Sequence, residues 1–171
     1  MQVDYSKFDT ALRKLGQDVA ERKLTVEDLI ELHDKAVEIY GGEKGIRDRN
    51  LLESICITPH QNVFGEELYP TVFDKAAKYL IDFSRYQVFL DGNKRTGVLA
   101  MAQELVINDY DINISNEDIY ALTMDIANNR ITEVSDVAKI IKEHSFINAD
   151  FLDEEEKIAN MEEDDPEEEK E

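Results

Sequence analysis

Apolar residues recur at spacings of three and four through most of the 171-residue chain, and this periodicity constrains its fold most strongly. The pattern begins at Phe8, Leu12, Leu15 and Val19 and continues as far as Ile141. Such spacing places apolar side chains on one face of an α-helix. Only 7 Gly and 3 Pro interrupt the chain, and no stretch shows the sustained alternation typical of a β-strand. The sequence therefore predicts an all-α protein with a bundle of about seven helices.

Capping residues and helix breakers divide this pattern into segments. Thr25 with Asp28 three residues later is typical of a capping box at a helix start. Pro70 suits a first helical turn, because its fixed φ is already helical. Residues 60–69 carry no helical stripe, and we expect either a loop or a short β-hairpin there.

Acidic residues are concentrated at the C-terminal end. The chain has 39 Asp and Glu against 19 Lys and Arg, and residues 150–171 alone carry 13 acidic and 2 basic residues. A like-charged segment of this kind is typical of a disordered, solubilising tail. It could instead cover a basic or anion-binding site on this chain or on a partner. We expect an extra N-terminal helix over 1–22, the main domain over 23–149 and an acidic tail over 150–171.

Composition also excludes several classes of protein. No apolar run approaches the roughly 20 residues needed to span a bilayer, and the first ten residues do not resemble a secretory signal. The single cysteine, Cys56, cannot form a disulfide framework, which favours a reducing, cytoplasmic setting. Excess negative charge argues against direct binding to nucleic acid, which needs concentrated Lys and Arg.

One segment, residues 87–95, has the features of a ligand site. It reads Gln-Val-Phe-Leu-Asp-Gly-Asn-Lys-Arg and places a glycine-containing turn directly before a helix. A helix N-terminus offers free backbone N–H groups, and its dipole favours an anion. Lys94 and Arg95 lie where that dipole disfavours cations, which indicates a negatively charged ligand. From physics alone, an ordinary charged turn between two helices accounts for the same residues.

Individual residues of this turn have candidate roles. Gly92 permits a positive φ or a close approach to a ligand. Asn93 is a candidate for orienting the turn, and Phe89 is expected to pack inward. Asp91 is a candidate ligand for a Mg²⁺ ion that accompanies a polyphosphate. His33 lies on an apolar stripe, so we expect a hydrogen-bonded core histidine there rather than a catalytic one.

The string Phe-Leu-Asp-Gly-Asn-Lys-Arg-Thr at 89–96 resembles the signature of the Fic/Doc superfamily, and specifically its Doc (death-on-curing) branch. That branch typically has His-x-Phe-x-Asp-Ala/Gly-Asn-Lys-Arg-Thr. Residues 45–54, residues 64–70 and the chain from Asn108 onward resemble the same branch in the same order, so the resemblance covers about residues 25–145. It implies the helical Fic fold over 23–149, with a flap near residues 60–69.

The resemblance also implies a function. Doc-type proteins are toxins of toxin–antitoxin modules that act on translation machinery and are restrained by an antitoxin partner. Family members transfer phosphate or AMP from a nucleoside triphosphate to a protein hydroxyl. ATP and Mg²⁺ are thereby implied as cofactors, with Asp91 holding the metal and the phosphates cradled by Gly92, Asn93, Lys94 and Arg95.

Two further positions take roles from the resemblance. A lysine at the position of Lys94, where AMP transferases have glycine, is associated with the phosphotransferase branch. His60 lies in the region where family members place the flap that holds the target segment, and is therefore a candidate for substrate contact.

The sequence departs from the family signature at Gln87, where the family has its catalytic histidine. An amide does not titrate near neutral pH and cannot act as a general base, whose loss typically costs about 10²–10⁴-fold in rate. The neighbouring Tyr86 is a poor substitute, because an unperturbed phenol titrates near pH ~10.

Three explanations of Gln87 remain open. The chain is a pseudoenzyme that binds nucleotide or an antitoxin-like partner, or it runs altered chemistry with another base, or the histidine was replaced deliberately to silence a toxic protein. For a Doc-like transferase scaffold with Gln87 at the base position, we expect weak or absent turnover.

Overall fold

The computed structural model describes residues 23–148, which form six α-helices, one 3₁₀ turn and two small antiparallel sheets. The helices are α1 (Val26–Tyr40), α2 (Arg49–Ile57), α3 (Val72–Arg85), α4 (Asn93–Val106), α5 (Asn116–Ala127) and α6 (Val134–Glu143). The strands are β1 (Asn62–Val63), β2 (Glu66–Glu67), β3 (Tyr110–Ile112) and β4 (Ser145–Ile147), and the 3₁₀ turn is Thr58–His60. The predicted helical fold is confirmed. The helix predicted within 1–22 and the acidic tail over 150–171 lie outside the described residues.

Two capping boxes fix where helices begin. Thr25 Oγ1 accepts a hydrogen bond from Asp28 N at 3.2 Å, and Thr25 N donates to Asp28 Oδ2 at 2.8 Å, as the sequence predicted. Helix α3 begins two residues after Pro70, because Thr71 and Asp74 form a second box of the same kind. A reciprocal box satisfies two of the orphan N–H groups, which a proline alone does not do.

Helix α4 is the centre of the domain. Eleven of its 14 residues are buried, so side chains on every face meet the rest of the protein. It packs against α3 and α1, while α3 also contacts α5 and α6. A helix covered on all sides has its two ends as its main access to solvent, which makes the N-terminus of α4 the natural place for a site.

The α3–α4 contact depends on Gly97. A Cβ at this position would lie 2.8 Å from Phe83 Cβ and 3.5 Å from Leu80 O. Both atoms are fixed to the backbone of α3 and cannot rotate away. Gly97 therefore sets the distance between the two helices.

Substituting Gly97→Ala is expected to lower the free energy of unfolding by about 1–3 kcal/mol, because overpacking forces α3 and α4 apart. This loss outweighs the better helix propensity of alanine, which is worth about 1 kcal/mol. Urea unfolding followed by circular dichroism measures the change. Lys139→Ala on the exposed face of α6 is the control, expected to change stability by less than about 0.5 kcal/mol. A Gly97→Ala variant as stable as wild type would show that the helices separate without cost.

The β1–β2 hairpin lies within residues 60–69, where the sequence left a loop or a short hairpin open. Asn62 pairs with Glu67, and the turn residues Phe64 and Gly65 have φ of 51° and 85°. Positive φ at both central residues is typical of the turns that suit the twist of a hairpin. The side chain of Phe64 is fully exposed at the tip.

The second sheet was not predicted from the sequence. Strand β3 pairs antiparallel with β4, with Tyr110 opposite Ile147 and Ile112 opposite Ser145. Strands of three residues are too short to show alternation, and β3 and β4 are far apart in the chain.

Within residues 23–148, no helix is long and apolar enough to cross a membrane.

Candidate anion-binding site

A cleft of about 570 Å³ opens at the N-terminus of α4. It is lined by Tyr40, Gln87, Leu90, Asp91, Gly92, Asn93, Lys94 and Arg95. Every residue assigned to the phosphate site from the sequence is therefore in one cavity, together with the last residue of α1. We call this cavity the α4 cleft.

Asn93 orders the turn that precedes α4. Its side-chain oxygen accepts hydrogen bonds from Val88 N at 3.0 Å and Phe89 N at 2.8 Å. Its amide nitrogen donates to Phe89 O at 3.0 Å and to Gln87 Oε1 at 3.3 Å. One buried amide thus binds three consecutive residues of the turn, which is the geometry expected of an orienting residue.

Gly92 is the N-cap of α4 and adopts the left-handed conformation, with φ of 77° and ψ of 16°. A residue with a side chain rarely adopts this conformation. Its own N–H donates to Asp91 Oδ1 at 2.7 Å, but no side chain of the described residues caps the helix. The first N–H groups of α4 therefore face the cleft without an intrahelical acceptor, and such a terminus favours an anion.

Two cations flank this helix end in different ways. Arg95 donates to Gly41 O at 3.0 Å, lies 4.0 Å from Asp91 Oδ1, and stands 5.9 Å from the centre of the Tyr40 ring. Lys94 is half-buried and lines the cleft. Within residues 23–148 it makes no hydrogen bond and no ion pair. An ammonium without a partner among these residues is available to an external anion.

Asp91 lies where a cation bound beside an anion could reach it. A Cβ at Gly42 would come within 2.5 Å of Asp91 Oδ2, so the glycine leaves room for this carboxylate. The Asp91 side chain is half exposed. Mg²⁺ takes one or two carboxylates and completes its shell with water and phosphate oxygens, so this donor fits the ion. No group of three or more His, Cys, Asp or Glu in the described chain could hold a metal by itself.

Gln87 is exposed and lines the cleft beside Asn93. Its side-chain oxygen is occupied as the acceptor from Asn93 Nδ2. Its amide nitrogen can donate a hydrogen bond but cannot remove a proton. Tyr86 precedes it and is 48% exposed, outside the lining of the cleft.

His60 does not line the α4 cleft. It ends the 3₁₀ turn, with Nε2 at 3.9 Å from Oε1 of the fully buried Glu104, near the other end of α4. Glu104 lies about 16 Å along the helix from Asn93. Burial lowers the pKa of His60 to about 4 and raises that of Glu104 to about 8, because both charged forms lose hydration.

The contribution of α1 to the site was not foreseen from the sequence. Tyr40 lines the cleft, Gly41 accepts from Arg95, and Gly42 makes room for Asp91. Sequence analysis assigned Gly41 and Gly42 only to the end of a helix. His33 was expected in the core, and it is buried there, but its Nε2 also contacts Asp91 O at 2.9 Å.

Residues 23–148 thus form a small helical domain whose central helix begins at a glycine-led turn, with lysine and arginine beside it and no side-chain cap from the described residues. The chain belongs to the Fic/DOC family, which it matches over residues 23–105.

Its relatives include the protein kinase doc of Escherichia phage P1. The two are 31% identical over 121 residues, which are 71% of this chain and 94% of the phage protein. This chain is also 41% identical to the toxin Doc of Mycolicibacterium smegmatis over 69 residues, which are 40% of this chain. That match spans about half, 53%, of the mycobacterial protein.

Proposed function

We propose that this chain is a Doc-like toxin of a toxin–antitoxin module whose α4 cleft binds the phosphates of a nucleoside triphosphate. The fold transfers phosphate, or AMP, to a hydroxyl of a target protein, and the reaction is impaired by Gln87. One observation carries the proposal: the N-terminus of α4 faces the same cleft as the ammonium of Lys94, and neither has a side-chain partner within residues 23–148. The printed names of the relatives, a toxin and a protein kinase, support it.

In this proposal the phosphates contact the backbone N–H groups at the start of α4 and the side chains of Lys94 and Arg95. The backbone donors, ordered by Asn93, and the Arg95 side chain, which is attached to Gly41 O, are in place before the ligand arrives, so little reorganisation of these groups opposes binding. Asp91 would hold Mg²⁺, which supplies positive charge to the phosphate oxygens when it is bound.

The incoming hydroxyl would approach past Gln87. The amide can donate a hydrogen bond to that hydroxyl and orient it, but the hydroxyl keeps its proton. The transfer is therefore slow, because orientation and electrostatic stabilisation remain while base catalysis is missing. The target protein, an antitoxin partner and the choice between phosphate and AMP belong to this proposal.

Arg95→Ala is expected to weaken binding of ATP–Mg²⁺ by about 10-fold to 100-fold, because a hydrogen bond to a charged group contributes about 1.5–3 kcal/mol. Isothermal titration calorimetry measures the dissociation constant. Arg130→Ala is the matched control, since Arg130 pairs with Asp125 at 2.8 Å and lies outside the cleft. Wild-type protein that binds no ATP–Mg²⁺ would contradict the proposal.

A second function, a non-catalytic pseudoenzyme that binds nucleotide or an antitoxin-like protein, is favoured by the non-titrating side chain of Gln87. The pseudoenzyme and the transferase differ in one measurable property, the transfer of label from ATP to protein. A pseudoenzyme binds ATP–Mg²⁺, or a protein partner, without transferring label from ATP to any protein.

A further inference from the structure

His33 connects α1 to the turn that precedes α4. The side chain is 1% exposed, with Nε2 at 2.9 Å from Asp91 O and Nδ1 at 3.0 Å from Asp34 Oδ1. A backbone carbonyl only accepts hydrogen bonds, so Nε2 carries a proton and donates it to Asp91 O. The orientation of this imidazole is therefore fixed by its partners.

The same ring also packs against the turn. It stacks on Phe89 with a centroid distance of 3.8 Å and an interplanar angle of 9°. A Cβ at Gly92 would lie 3.7 Å from His33 Cδ2 and 3.8 Å from Nε2, so the ring lies beneath the N-cap of α4. His33 thus contacts Phe89 and Asp91 and lies next to the position of Gly92.

These contacts fix one particular peptide unit. The carbonyl of Asp91 accepts from His33, while the N–H of the same unit, on Gly92, donates to Asp91 Oδ1 at 2.7 Å. Both ends of the 91–92 peptide are held, and the orientation of this peptide is one of the two that define the left-handed conformation of Gly92. That conformation sets the direction in which the first N–H groups of α4 point.

Other contacts hold the neighbouring parts of the turn. Asn93 binds residues 87–89, Leu90 N donates to Gly45 O at 2.9 Å, and Arg95 is attached to Gly41 O. Among the side chains of the described residues, His33 is the one that forms a hydrogen bond with the Asp91 carbonyl.

We propose that His33 is a positioning residue for the anion site: its Nε2–H holds the 91–92 peptide so that the N-terminus of α4 and Lys94 face the cleft. His33 does not contact the phosphates and takes no part in proton transfer. The inference rests on the proposed function, since it assigns His33 to the site that binds the nucleotide.

Two substitutions separate the hydrogen bond from the packing. His33→Phe keeps an aromatic ring to stack on Phe89 and loses the donor. His33→Gln loses the ring but places an amide N–H close to the position of Nε2. His33→Asn, whose shorter amide does not reach Asp91 O, is a second donor-less variant if the Phe variant does not fold.

Affinity for ATP–Mg²⁺, measured by calorimetry, is the first readout. His33→Phe is expected to weaken binding about tenfold, which corresponds to about 1.4 kcal/mol, while His33→Gln stays within about threefold of wild type. Leu105→Ala is the stability control, because Leu105 is fully buried at the far end of α4. It is expected to lower the unfolding midpoint and leave affinity unchanged. Equal affinity in the Phe and Gln variants, or a loss in Leu105→Ala as large as in His33→Phe, would overturn the inference.

Amide hydrogen exchange is the second readout and needs no ligand. In His33→Phe the N–H groups of Gly92 and Thr96, which donate to Asp91 Oδ1 and Gly92 O, should exchange at least tenfold faster than in His33→Gln. Unchanged exchange in His33→Phe would overturn the positioning role. If His33→Phe exchanges faster but the wild-type protein binds no ATP–Mg²⁺, the role of His33 in positioning the turn is upheld. The proposed function is then contradicted instead.

Discussion

Gln87→His is expected to raise the rate of transfer from ATP about 10²–10⁴-fold, because an imidazole at this position can accept the proton of the attacking hydroxyl. Gln87 lines the α4 cleft next to the ordered turn, so the new side chain would be within the site. The gained rate should rise with pH through about 6.5, as a neutral imidazole is required. The measurement is label incorporated into protein from α-labelled and γ-labelled ATP, which distinguishes transfer of AMP from transfer of phosphate.

Tyr86→His is the matched control for this variant. It adds the same imidazole one residue away, at an exposed position outside the cleft, and no gain is expected. Absence of any gain in Gln87→His, with ATP–Mg²⁺ still bound, would show that position 87 is not the position of the base.

Glu104→Gln is expected to remove most of the dependence of stability on pH between about 6.5 and 8. Glu104 is fully buried, and its two carboxylate oxygens have no hydrogen-bond partner among the described residues. Burial raises its pKa from 4.5 to about 8. Between these values the folded protein keeps a proton that the unfolded chain has lost, so stability falls as pH rises through this window.

His60 acts in the opposite direction over part of this range. Its pKa is lowered from 6.5 to about 4, so stability rises with pH between those values as the unfolded chain loses its proton. The two contributions oppose each other below about pH 6.5. Above it, the contribution of Glu104 remains, at about 2 kcal/mol between pH 6.5 and 8, since one pKa unit corresponds to about 1.4 kcal/mol.

Urea unfolding at pH 5, 6.5 and 8 tests this expectation. Wild-type protein should lose stability from pH 6.5 to 8, and Glu104→Gln should show a nearly flat profile there and a rise from pH 5 to 6.5. Glu53→Gln, at a half-exposed carboxylate that pairs with Arg49 in α2, is the control and should follow wild type. Parallel profiles of wild type and Glu104→Gln would contradict the assigned ionisation of Glu104.

Local sequence signals were sufficient to predict most of the fold. The spacing of apolar residues gave the helices, and the Thr25–Asp28 capping box marked the start of α1. Both signals act within four residues, where sequence distance and spatial distance agree. The β3–β4 sheet depends instead on Tyr110 meeting Ile147, and no local pattern contains that pairing.

In the site too, the local features were predictable from the sequence and the long-range contacts were not. The turn at 87–95 was recognisable because its glycine, lysine and arginine lie within four residues of chain. Helix α1 contributes His33 and Tyr40, and Gly42 just after it makes room for Asp91. These residues are distant in the chain from the turn, and only the packing of α1 against α4 brings them to it. The second glycine of the Gly41–Gly42 pair was a usable signal, since a helix end needs one glycine and this chain has two.

Asn93 stabilises the turn before α4 whether or not a nucleotide binds there. This affects how the motif at 89–96 would change in descendants that no longer bind a nucleotide. Three of the four hydrogen bonds of Asn93 hold buried backbone together, so selection for folding alone would preserve Asn93. It would also preserve Gly92, because of the left-handed conformation of that residue. Lys94 makes no hydrogen bond and no ion pair with the described residues. In a lineage released from nucleotide binding, Lys94 would be freer to change than Asn93 or Gly92.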